Sequence, residues 1–294
     1  MEMIISWACN NNCRFCSEDE FKREAIEKGC LKRDFEAIYR NMVEFREKGY
    51  DHITFLGGEP TIHKDIIKIV ASAKRLGFRT IFMTTNGRML SRDKFAESII
   101  AAGLNEVCIS IHGTKETHEM MTRADGSYEQ AIRALENLEG RIPIMTNSVI
   151  TGDNMEDLPR LMTALNRFRL TRCAVAYPLL RGSMLNDGKI ATYSEVMPYL
   201  RDIVSKSKHD IRISNIPMCI LGDLDNHSDD IGYDERDYDN ELGDDGKRYE
   251  DGVDEIRIDI CKTCKHNKIC RGIPREYIEM FSDKEFKGLK TRKR

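Results

Sequence analysis

The sequence lacks the two features that would place the protein in a membrane or outside the cell. No apolar run approaches the roughly 20 residues needed to cross a bilayer. The first residues, MEMIISWAC, have the pattern of a strand rather than a charged segment followed by an apolar stretch. Repeats of solenoid length are also missing. We therefore expect a cytoplasmic protein without a membrane partner, whose ten cysteines serve metal or redox chemistry rather than disulfides.

Charge is nearly balanced overall but is unevenly distributed along the chain. The 294 residues are 40% hydrophobic and 32% charged, which suffices for one large domain with or without a small appendage. Residues 222–255 hold fifteen acidic and three basic residues, a net charge of −12, which leaves +9 on the remainder. Leu242 stands where a calcium loop requires glycine. We predict a solvated surface loop here, with a lid or a docking surface for a basic substrate as the alternative.

Short apolar runs alternate with amphipathic segments over the first 182 residues. The strand-like runs are 3–8, 52–56, 78–85, 106–112, 142–150 and 173–180, and the helical segments between them are 32–48, 63–76, 91–102, 127–139 and 154–169. Six such units predict an α/β fold with a parallel sheet, either open and doubly wound or curved into a partial barrel. Beyond residue 182 the alternation stops. We predict a second, smaller α+β module at 183–294, with a short strand at 209–216.

Three cysteines follow the first predicted strand with the spacing C-x3-C-x2-C: Cys9, Cys13 and Cys16. Active sites of parallel α/β folds collect at such strand ends. Three thiolates leave one iron of a four-iron cluster without a protein ligand, and an open position on a metal is where chemistry takes place. Zinc is the alternative, but a closed zinc site needs a fourth ligand nearby, and the nearest histidine is His52. The triplet therefore predicts an iron–sulfur cluster.

A second group of cysteines lies near the C-terminus. Cys261, Cys264 and Cys270 form C-x2-C-x5-C, and Cys219 stands upstream in the run IPMCIL. Four thiolates are the full complement of a closed cluster, and zinc is again the alternative because C-x2-C pairs also bind zinc. In a protein that already carries one iron–sulfur cluster we favour a second one. The remaining cysteines are expected to be ordinary buried or surface residues: Cys30, Cys108 and Cys173.

The triplet, together with Gly57-Gly58-Glu59-Pro60 at the end of the second predicted strand, resembles the radical S-adenosylmethionine (SAM) superfamily. The resemblance covers residues 1 to about 180 and implies a partial (β/α)6 barrel as a core domain over residues 1–182. It implies that the triplet holds a [4Fe–4S] cluster whose unique iron is chelated by the methionine part of SAM. Reduction of that cluster, by a donor such as flavodoxin or ferredoxin, cleaves SAM to methionine and a 5′-deoxyadenosyl radical.

The same resemblance assigns cofactor contacts to individual residues. Backbone carbonyls of the Gly-Gly-Glu-Pro segment would accept hydrogen bonds from the SAM amino group, and Phe15 matches an aromatic position against the adenine. The segment SIHGTKETHEMMTR resembles that of anaerobic sulfatase-maturating enzymes, which implies that Ser110 contacts the ribose and Arg123 holds the carboxylate. His112 is either a ligand contact or a structural histidine, and Tyr177 is a weaker pocket residue. The expected cofactor-binding residues are Phe15, Gly57, Gly58, Glu59, Pro60, Asn86, Ser110, Arg123 and Asn147.

The second cysteine group resembles the SPASM and twitch modules of the same superfamily, which carry auxiliary clusters. The run CKTCKHNKICRGIPREY matches their C-x2-C-x5-C-x-G pattern. A full SPASM module would need further cysteines after Cys270, and none follows. The resemblance therefore implies one auxiliary [4Fe–4S] cluster, held by Cys219, Cys261, Cys264 and Cys270, in a twitch-like module.

These resemblances imply a radical enzyme that abstracts hydrogen from an unactivated carbon, with a peptide or protein as the expected substrate. A dehydrogenase of a small molecule, such as a sugar or an aminoglycoside, is the alternative. A non-catalytic iron–sulfur scaffold or an RNA-binding protein is a remote third class. We do not expect a nucleic-acid partner because the positive residues are dispersed rather than gathered in a stripe.

Cys108 is a candidate hydrogen donor should the reaction be redox-neutral. Strand alternation places it on the same face as Ser110, two residues deeper. A small residue that only fills interior space is the alternative.

Overall fold

The structure, a computed structural model, describes residues 1–229 and 255–289. Most of the acidic segment 222–255 lies outside these ranges, and with it the predicted surface loop. Within the described residues, no helix is both long enough and apolar enough to cross a membrane.

Seven parallel strands form one sheet, in which each strand pairs with the next along the chain. The strands are β1 (Glu2–Ser6), β2 (His52–Gly57), β3 (Thr80–Thr85), β4 (Glu106–Ser110), β5 (Ile144–Val149), β6 (Arg172–Ala176) and β7 (Ile211–Ser214). The register pairs Ser6 with Gly57 and Ser110 with Asn147, so the carboxyl ends of neighbouring strands meet at one edge. The parallel sheet confirms the predicted α/β fold and fits a partial barrel.

Helices occupy the connections between the strands. They are α1 (Asp19–Glu27), α2 (Phe35–Glu47), α3 (Ile66–Arg75), α4 (Asp93–Ala102), α5 (Lys115–Thr122), α6 (Ser127–Leu138), α7 (Leu158–Leu165), α8 (Ser183–Asp187), α9 (Tyr193–Lys206), α10 (Met218–Leu221) and α11 (Arg275–Phe281). The two longest helices among the described residues, α2 and α9, begin at capping side chains. Asp34 accepts from the Glu36 N–H, and Thr192 forms a capping box with Glu195.

The hydrophobic core lies between the sheet and the helices. On β4, Val107 and Ile109 are fully buried in this core. Because side chains alternate along a strand, Ser110 lies on the opposite face, where it is only half-buried. Asn147 has the same placement on β5. The inner face of the sheet is therefore left for polar side chains at the strand ends.

The sheet extends beyond the boundary expected from the sequence. β7 pairs with β6 in parallel register, Ala174 opposite Arg212 and Ala176 opposite Ser214. The sequence interpretation placed this strand in the second module and gave the core six strands, so its strand number was one too low. α9 packs on α7 and supplies the crossover between β6 and β7. The division at residue 182 stays a prediction, with the correction that β7 belongs to the sheet.

The C-terminal part is small and is fixed to the sheet by aromatic packing. It contains an antiparallel pair, β8 (Glu255–Ile256) and β9 (Ile273–Pro274), followed by α11. Tyr277 of α11 is fully buried and stacks on Tyr193 of α9, with ring centroids 4.0 Å apart. Tyr177, just after β6, packs against both rings. Burial of three tyrosines at this contact stabilises the attachment.

Candidate active site

The cysteine triplet lies on the loop between β1 and α1, at the carboxyl end of the sheet. Backbone hydrogen bonds hold this loop against the end of α5: the Asn12 N–H donates to Thr122 O and the Arg14 N–H to Met121 O, each at 3.0 Å. The chain after β6 holds it from another side, since the Ser183 N–H donates to Cys16 O at 2.9 Å. The loop that carries the thiols is therefore fixed by two separate parts of the chain.

All three thiols line one cavity of about 330 Å³ at the carboxyl ends of the strands. Six of the expected cofactor-binding residues line the same cavity: Phe15, Gly57, Gly58, Asn86, Ser110 and Asn147. Much of the remaining wall is apolar and includes Trp7, Leu56, Val149, Tyr177 and Leu179. Its volume falls in the range of small-molecule sites, about 300–1,000 Å³.

The electrostatics of the triplet suit a cluster of metal ions. Burial raises the pKa of all three thiols, that of Cys16 to about 11, and for Cys13 the neighbouring thiols add to the effect. Buried thiols bind as thiolates only when a cation compensates their charge, which the iron of a cluster does. The Asn11 N–H donates to Cys9 Sγ at 3.4 Å, a type of bond that tunes iron–sulfur clusters.

The described residues do not form a site for a single metal ion. Within residues 1–229 and 255–289, no group of three or more His, Cys, Asp or Glu side chains is arranged to hold one metal ion. A [4Fe–4S] cluster does not require such convergence, because each thiolate binds a different iron. The donor set of the triplet therefore fits a cluster with one open iron.

The Gly57-Gly58 segment lies directly against the cysteine loop. The Gly58 N–H donates to Ser6 O at 2.7 Å, and the Glu59 N–H donates to Ala8 O at 2.8 Å. A Cβ atom on Gly58 would lie 2.5 Å from both Trp7 O and Ala8 O. Only glycine permits this approach of two backbones, because the obstructing atoms belong to the main chain and cannot move aside.

Replacing Gly58 by alanine should therefore displace the cysteine loop. We expect a destabilisation of about 1–3 kcal/mol, as for other overpacked sites, and weakened iron binding. Iron content after anaerobic reconstitution and the free energy of unfolding in urea are the measurements. Gly126→Ala is the control for backbone strain without a steric clash: its φ of 70° disfavours alanine, but a Cβ atom there meets nothing within 4 Å, so its stability loss should not be accompanied by a loss of iron. A Gly58→Ala protein with the full iron content would contradict the steric argument.

Glu59 and Pro60 are buried and are not on the cavity wall. The Glu59 carboxylate accepts from the Thr61 N–H at 3.0 Å, the Thr85 hydroxyl at 2.6 Å, the Asn86 N–H at 2.8 Å and also the Thr61 hydroxyl. Burial raises the pKa of Glu59, and these four donors act in the opposite direction. The side chain thus connects the end of β2 to the end of β3. The expected contact of this segment's backbone with SAM stays a prediction.

Arg88 fixes the cysteine loop from the β3 side, and the sequence analysis missed it. Its guanidinium donates to Asn10 O and, at 3.0 Å, to Asn11 Oδ1, while its Nε donates to Gln130 Oε1 at 2.6 Å. Asn86 supports the same loop, because its Nδ2 donates to Asn10 Oδ1 at 2.7 Å. The neighbouring Thr-Thr-Asn-Gly run was the only local signal, and it drew attention to Asn86 alone.

Besides Glu59 and Pro60, two further expected residues lie away from the cavity wall. Arg123 ends α5 in a left-handed conformation, is 39% exposed and forms an ion pair with Asp187 at 3.0 Å. Cys108 lies on the same strand as Ser110, is 8% exposed, and has its pKa raised to about 12 by burial. The structure does not bring either side chain to the wall of the cavity that the triplet lines. The roles expected for them remain predictions.

The four cysteines of the second group do come together. Cys219, Cys261, Cys264 and Cys270 line one small pocket beside β9. Burial, with the three neighbouring thiols adding to it, raises the pKa of Cys219 to about 12. Backbone N–H groups of Met218 and Gly272 donate to Cys270, which lowers the cost of a thiolate there. The four thiols match the ligand number of a [4Fe–4S] cluster, in which each thiolate binds a different iron.

A second cavity adjoins the cavity of the triplet and reaches the second cysteine group. It has a volume of about 180 Å³, includes Cys270 in its wall, and shares Pro178, Leu179 and Asn215 with the cavity of the triplet. We refer to the two adjoining cavities together as the groove. The groove lies at the carboxyl end of the sheet, where active sites of such folds are found.

The fold and the site define a parallel α/β protein with a cysteine triplet at the end of its first strand. The model of the radical SAM superfamily matches residues 3–165, which is more than half of the chain. The chain belongs to this superfamily. Membership implies SAM and a [4Fe–4S] cluster as cofactors.

Three comparisons show which proteins the chain resembles. It is 32% identical to a probable GTP 3′,8-cyclase of Metallosphaera sedula, over 55% of this chain and 50% of that protein. It is 27% identical to the Fe-coproporphyrin III synthase of Methanosarcina barkeri, over 77% of this chain and 56% of that one. The chain thus spans about half the length of these curated relatives. The crystal structure of Streptococcus suis SuiB bound to its precursor peptide SuiA shares the fold, with a TM-score of 0.57, 16% identity, and coverage of 72% and 48% of the two chains.

Proposed function

We propose that this radical SAM enzyme removes a hydrogen atom from an unactivated carbon of a peptide or protein. Cys9, Cys13 and Cys16 would hold the [4Fe–4S] cluster, which when bound supplies the electron that cleaves SAM. Gly57 and Gly58 bring the end of β2 against this cluster loop, and the apolar walls of the cavity exclude water from the reactive carbon. Ser110 and Asn147 offer polar groups that orient the bound cofactor.

The observation that carries the peptide proposal is the pair of adjoining cavities that form the groove. SAM would occupy the cavity of the triplet, so a substrate needs further room, and an extended chain needs more of it than a compact metabolite. The groove extends from the triplet to Cys270, with apolar walls at Pro178, Leu179 and Ile216. Charged side chains line its far part, including Glu276. Apolar walls with a few polar groups are suited to binding alternate side chains of an extended peptide.

The test uses the anaerobically reconstituted enzyme with SAM and dithionite. Peptides encoded beside its gene are added one at a time, 5′-deoxyadenosine is measured by chromatography, and each peptide is analysed by mass spectrometry. We expect one peptide to stimulate deoxyadenosine formation and to lose hydrogen or gain a new bond. Stimulation by a small molecule with no effect of any peptide would refute the peptide proposal.

A small-molecule substrate is the second candidate, and the curated relatives favour it. Their names give GTP and an iron coproporphyrin as the molecules with which those proteins are concerned. GTP and iron coproporphyrin therefore belong in the same assay, together with a sugar and an aminoglycoside. Stimulation by one of these compounds, with its conversion seen by mass spectrometry, would favour this candidate.

We also propose that the second cysteine group holds an auxiliary [4Fe–4S] cluster in a twitch-like module. Such a cluster would supply an electron acceptor within reach of the groove, because Cys270 belongs to both. Flavodoxin or ferredoxin is the proposed electron donor to the enzyme, and the cytoplasm is the proposed location, since its reducing conditions preserve thiolate ligands.

The auxiliary cluster predicts a specific change in iron content. The wild-type enzyme should hold about eight iron atoms, and serine at all four positions of the second group should leave about four. Deoxyadenosine formation in dithionite should persist, because the triplet is intact. Iron, sulfide and zinc are measured together on the same samples. An unchanged iron content in the fourfold variant, or zinc in place of iron at the second group in wild type, would exclude this cluster. Cys261→Ser alone serves as a milder variant that changes fewer residues.

A further inference from the structure

Three polar side chains face the cavity of the triplet from neighbouring strand ends: Ser110, His112 and Asn147. Among residues 1–229 and 255–289, the Ser110 hydroxyl, the Asn147 side-chain amide and the His112 Nε2 atom have no protein hydrogen-bond partner, although His112 is only 4% exposed. Polar groups that line a ligand-sized cavity without a protein partner are suited to binding a ligand. Of the three, His112 is the most tightly positioned.

The other polar atoms of His112, namely Nδ1 and the backbone N–H and carbonyl, all form hydrogen bonds within the protein. The Val149 N–H donates to Nδ1 at 3.1 Å, the His112 N–H donates to His118 Nδ1 at 3.1 Å, and Asn154 Nδ2 donates to His112 O at 2.8 Å. A neutral imidazole that accepts at Nδ1 carries its proton on Nε2. Burial, with the nearby His118 adding to it, lowers the pKa of His112 well below its ordinary value. The ring is therefore a fixed, neutral N–H donor and has no free nitrogen to act as a base.

The position of the ring identifies the ligand that this donor meets. The His112 ring lies edge-on to Phe15, with centroids 4.4 Å apart, and Phe15 stands between Cys13 and Cys16 on the cluster loop. A molecule bound against that loop therefore lies beside the His112 ring. Adenosine carries ring nitrogens and hydroxyl oxygens that can accept a hydrogen bond from a neutral N–H.

We propose that His112 is a SAM-binding residue whose Nε2–H donates a hydrogen bond to an acceptor atom of the adenosyl group. The inference rests on the proposed function only in that SAM occupies this cavity; it does not depend on the identity of the substrate. The alternative is a structural histidine that serves only to hold the end of β5 through the Val149 N–H.

Two substitutions separate these roles. In His112→Asn the side-chain oxygen takes the place of Nδ1, so the bond from Val149 is kept and the donor to the cavity is lost. In His112→Gln the amide N–H takes the place of Nε2–H, so the donor is kept and the bond from Val149 is lost. His52→Asn is the control, because His52 is exposed at the start of β2 and is not on the cavity wall.

The measurement is equilibrium dialysis of SAM against each reconstituted variant without reductant, with iron content and the thermal unfolding temperature determined on the same samples. We expect His112→Asn to bind SAM about tenfold more weakly and His112→Gln to stay within about threefold of wild type. The control should bind as wild type. SAM binding by wild type without turnover of any peptide would defeat the peptide proposal and leave this one standing.

The opposite order of SAM affinities in the two His112 variants overturns the proposal. If His112→Asn binds SAM as wild type does, the Nε2–H has no role in binding. If His112→Gln is the weaker binder and unfolds at a lower temperature, the ring is structural. Equal losses in both variants with unchanged unfolding temperatures would also contradict a donor role.

Discussion

Alanine at Cys9, Cys13 and Cys16 together is expected to abolish 5′-deoxyadenosine formation and to remove about half of the iron. The three thiols line one buried cavity, and burial raises the pKa of each, so they do not form stable thiolates unless a cation binds. The variant loses every protein ligand of the cluster that cleaves SAM. We expect a loss of activity of at least about 10³-fold, the scale seen when an essential catalytic group is removed. Iron, sulfide and deoxyadenosine are measured after anaerobic reconstitution.

Cys30→Ala is the matched control for this triple variant. Cys30 is exposed, follows α1 and belongs to neither cysteine group. Its replacement should leave iron content and activity unchanged. The circular dichroism of the triple variant should remain that of a folded α/β protein, because the core between sheet and helices does not involve the triplet. If the triple variant forms more deoxyadenosine than a sample without protein, the result contradicts the assignment of the triplet as the catalytic site.

The sheet could be predicted from the sequence as far as β6 because each strand is a short apolar run bounded by turns. β7 shows where this reasoning ends. Its apolar residues, Ile211 and Ile213, indicate a strand, but not which strand it pairs with. That pairing depends on the packing of α9 against α7, a tertiary contact without a local signature. The irregular chain between β6 and α9 concealed the seventh β/α unit.

The position of the cysteine triplet at a strand end was predictable because it directly follows a short apolar run, and that of Gly57 and Gly58 because their segment resembles a motif of the superfamily. The side chains that hold the cluster loop were not. Arg88 reaches Asn10 and Asn11 across more than seventy residues of chain, and no pattern in sequence connects them. Arg123, in contrast, was predicted from the sequence but does not lie on the cavity wall. Its residue type suits a carboxylate, yet in the structure it pairs with Asp187 at the surface.

Glu59 gives the second large effect, through the connection it makes between strand ends. Its Oε1 atom accepts from the Thr61 N–H and its Oε2 atom from the Asn86 N–H. In Glu59→Gln, either orientation of the new amide places its NH₂ group against a backbone N–H. One buried donor is then left without an acceptor, which costs about 1–3 kcal/mol. Because Asn86 also bonds Asn10 on the cysteine loop, we expect iron binding to weaken as well.

The free energy of unfolding in urea and the iron content after reconstitution together test this prediction. Glu36→Gln is the control: Glu36 is exposed in the first turn of α2, so its change should stay within about 0.5 kcal/mol. Stability loss without iron loss would mean that Glu59 supports the sheet but not the cluster loop. Wild-type values for both measurements in Glu59→Gln would contradict the hydrogen-bonding argument itself. Loss of both stability and iron in Glu59→Gln would show that a side chain outside the cavity wall determines whether the cavity holds its cluster. The physical reason is that the Glu59 carboxylate connects the ends of β2 and β3, which contact the cysteine loop.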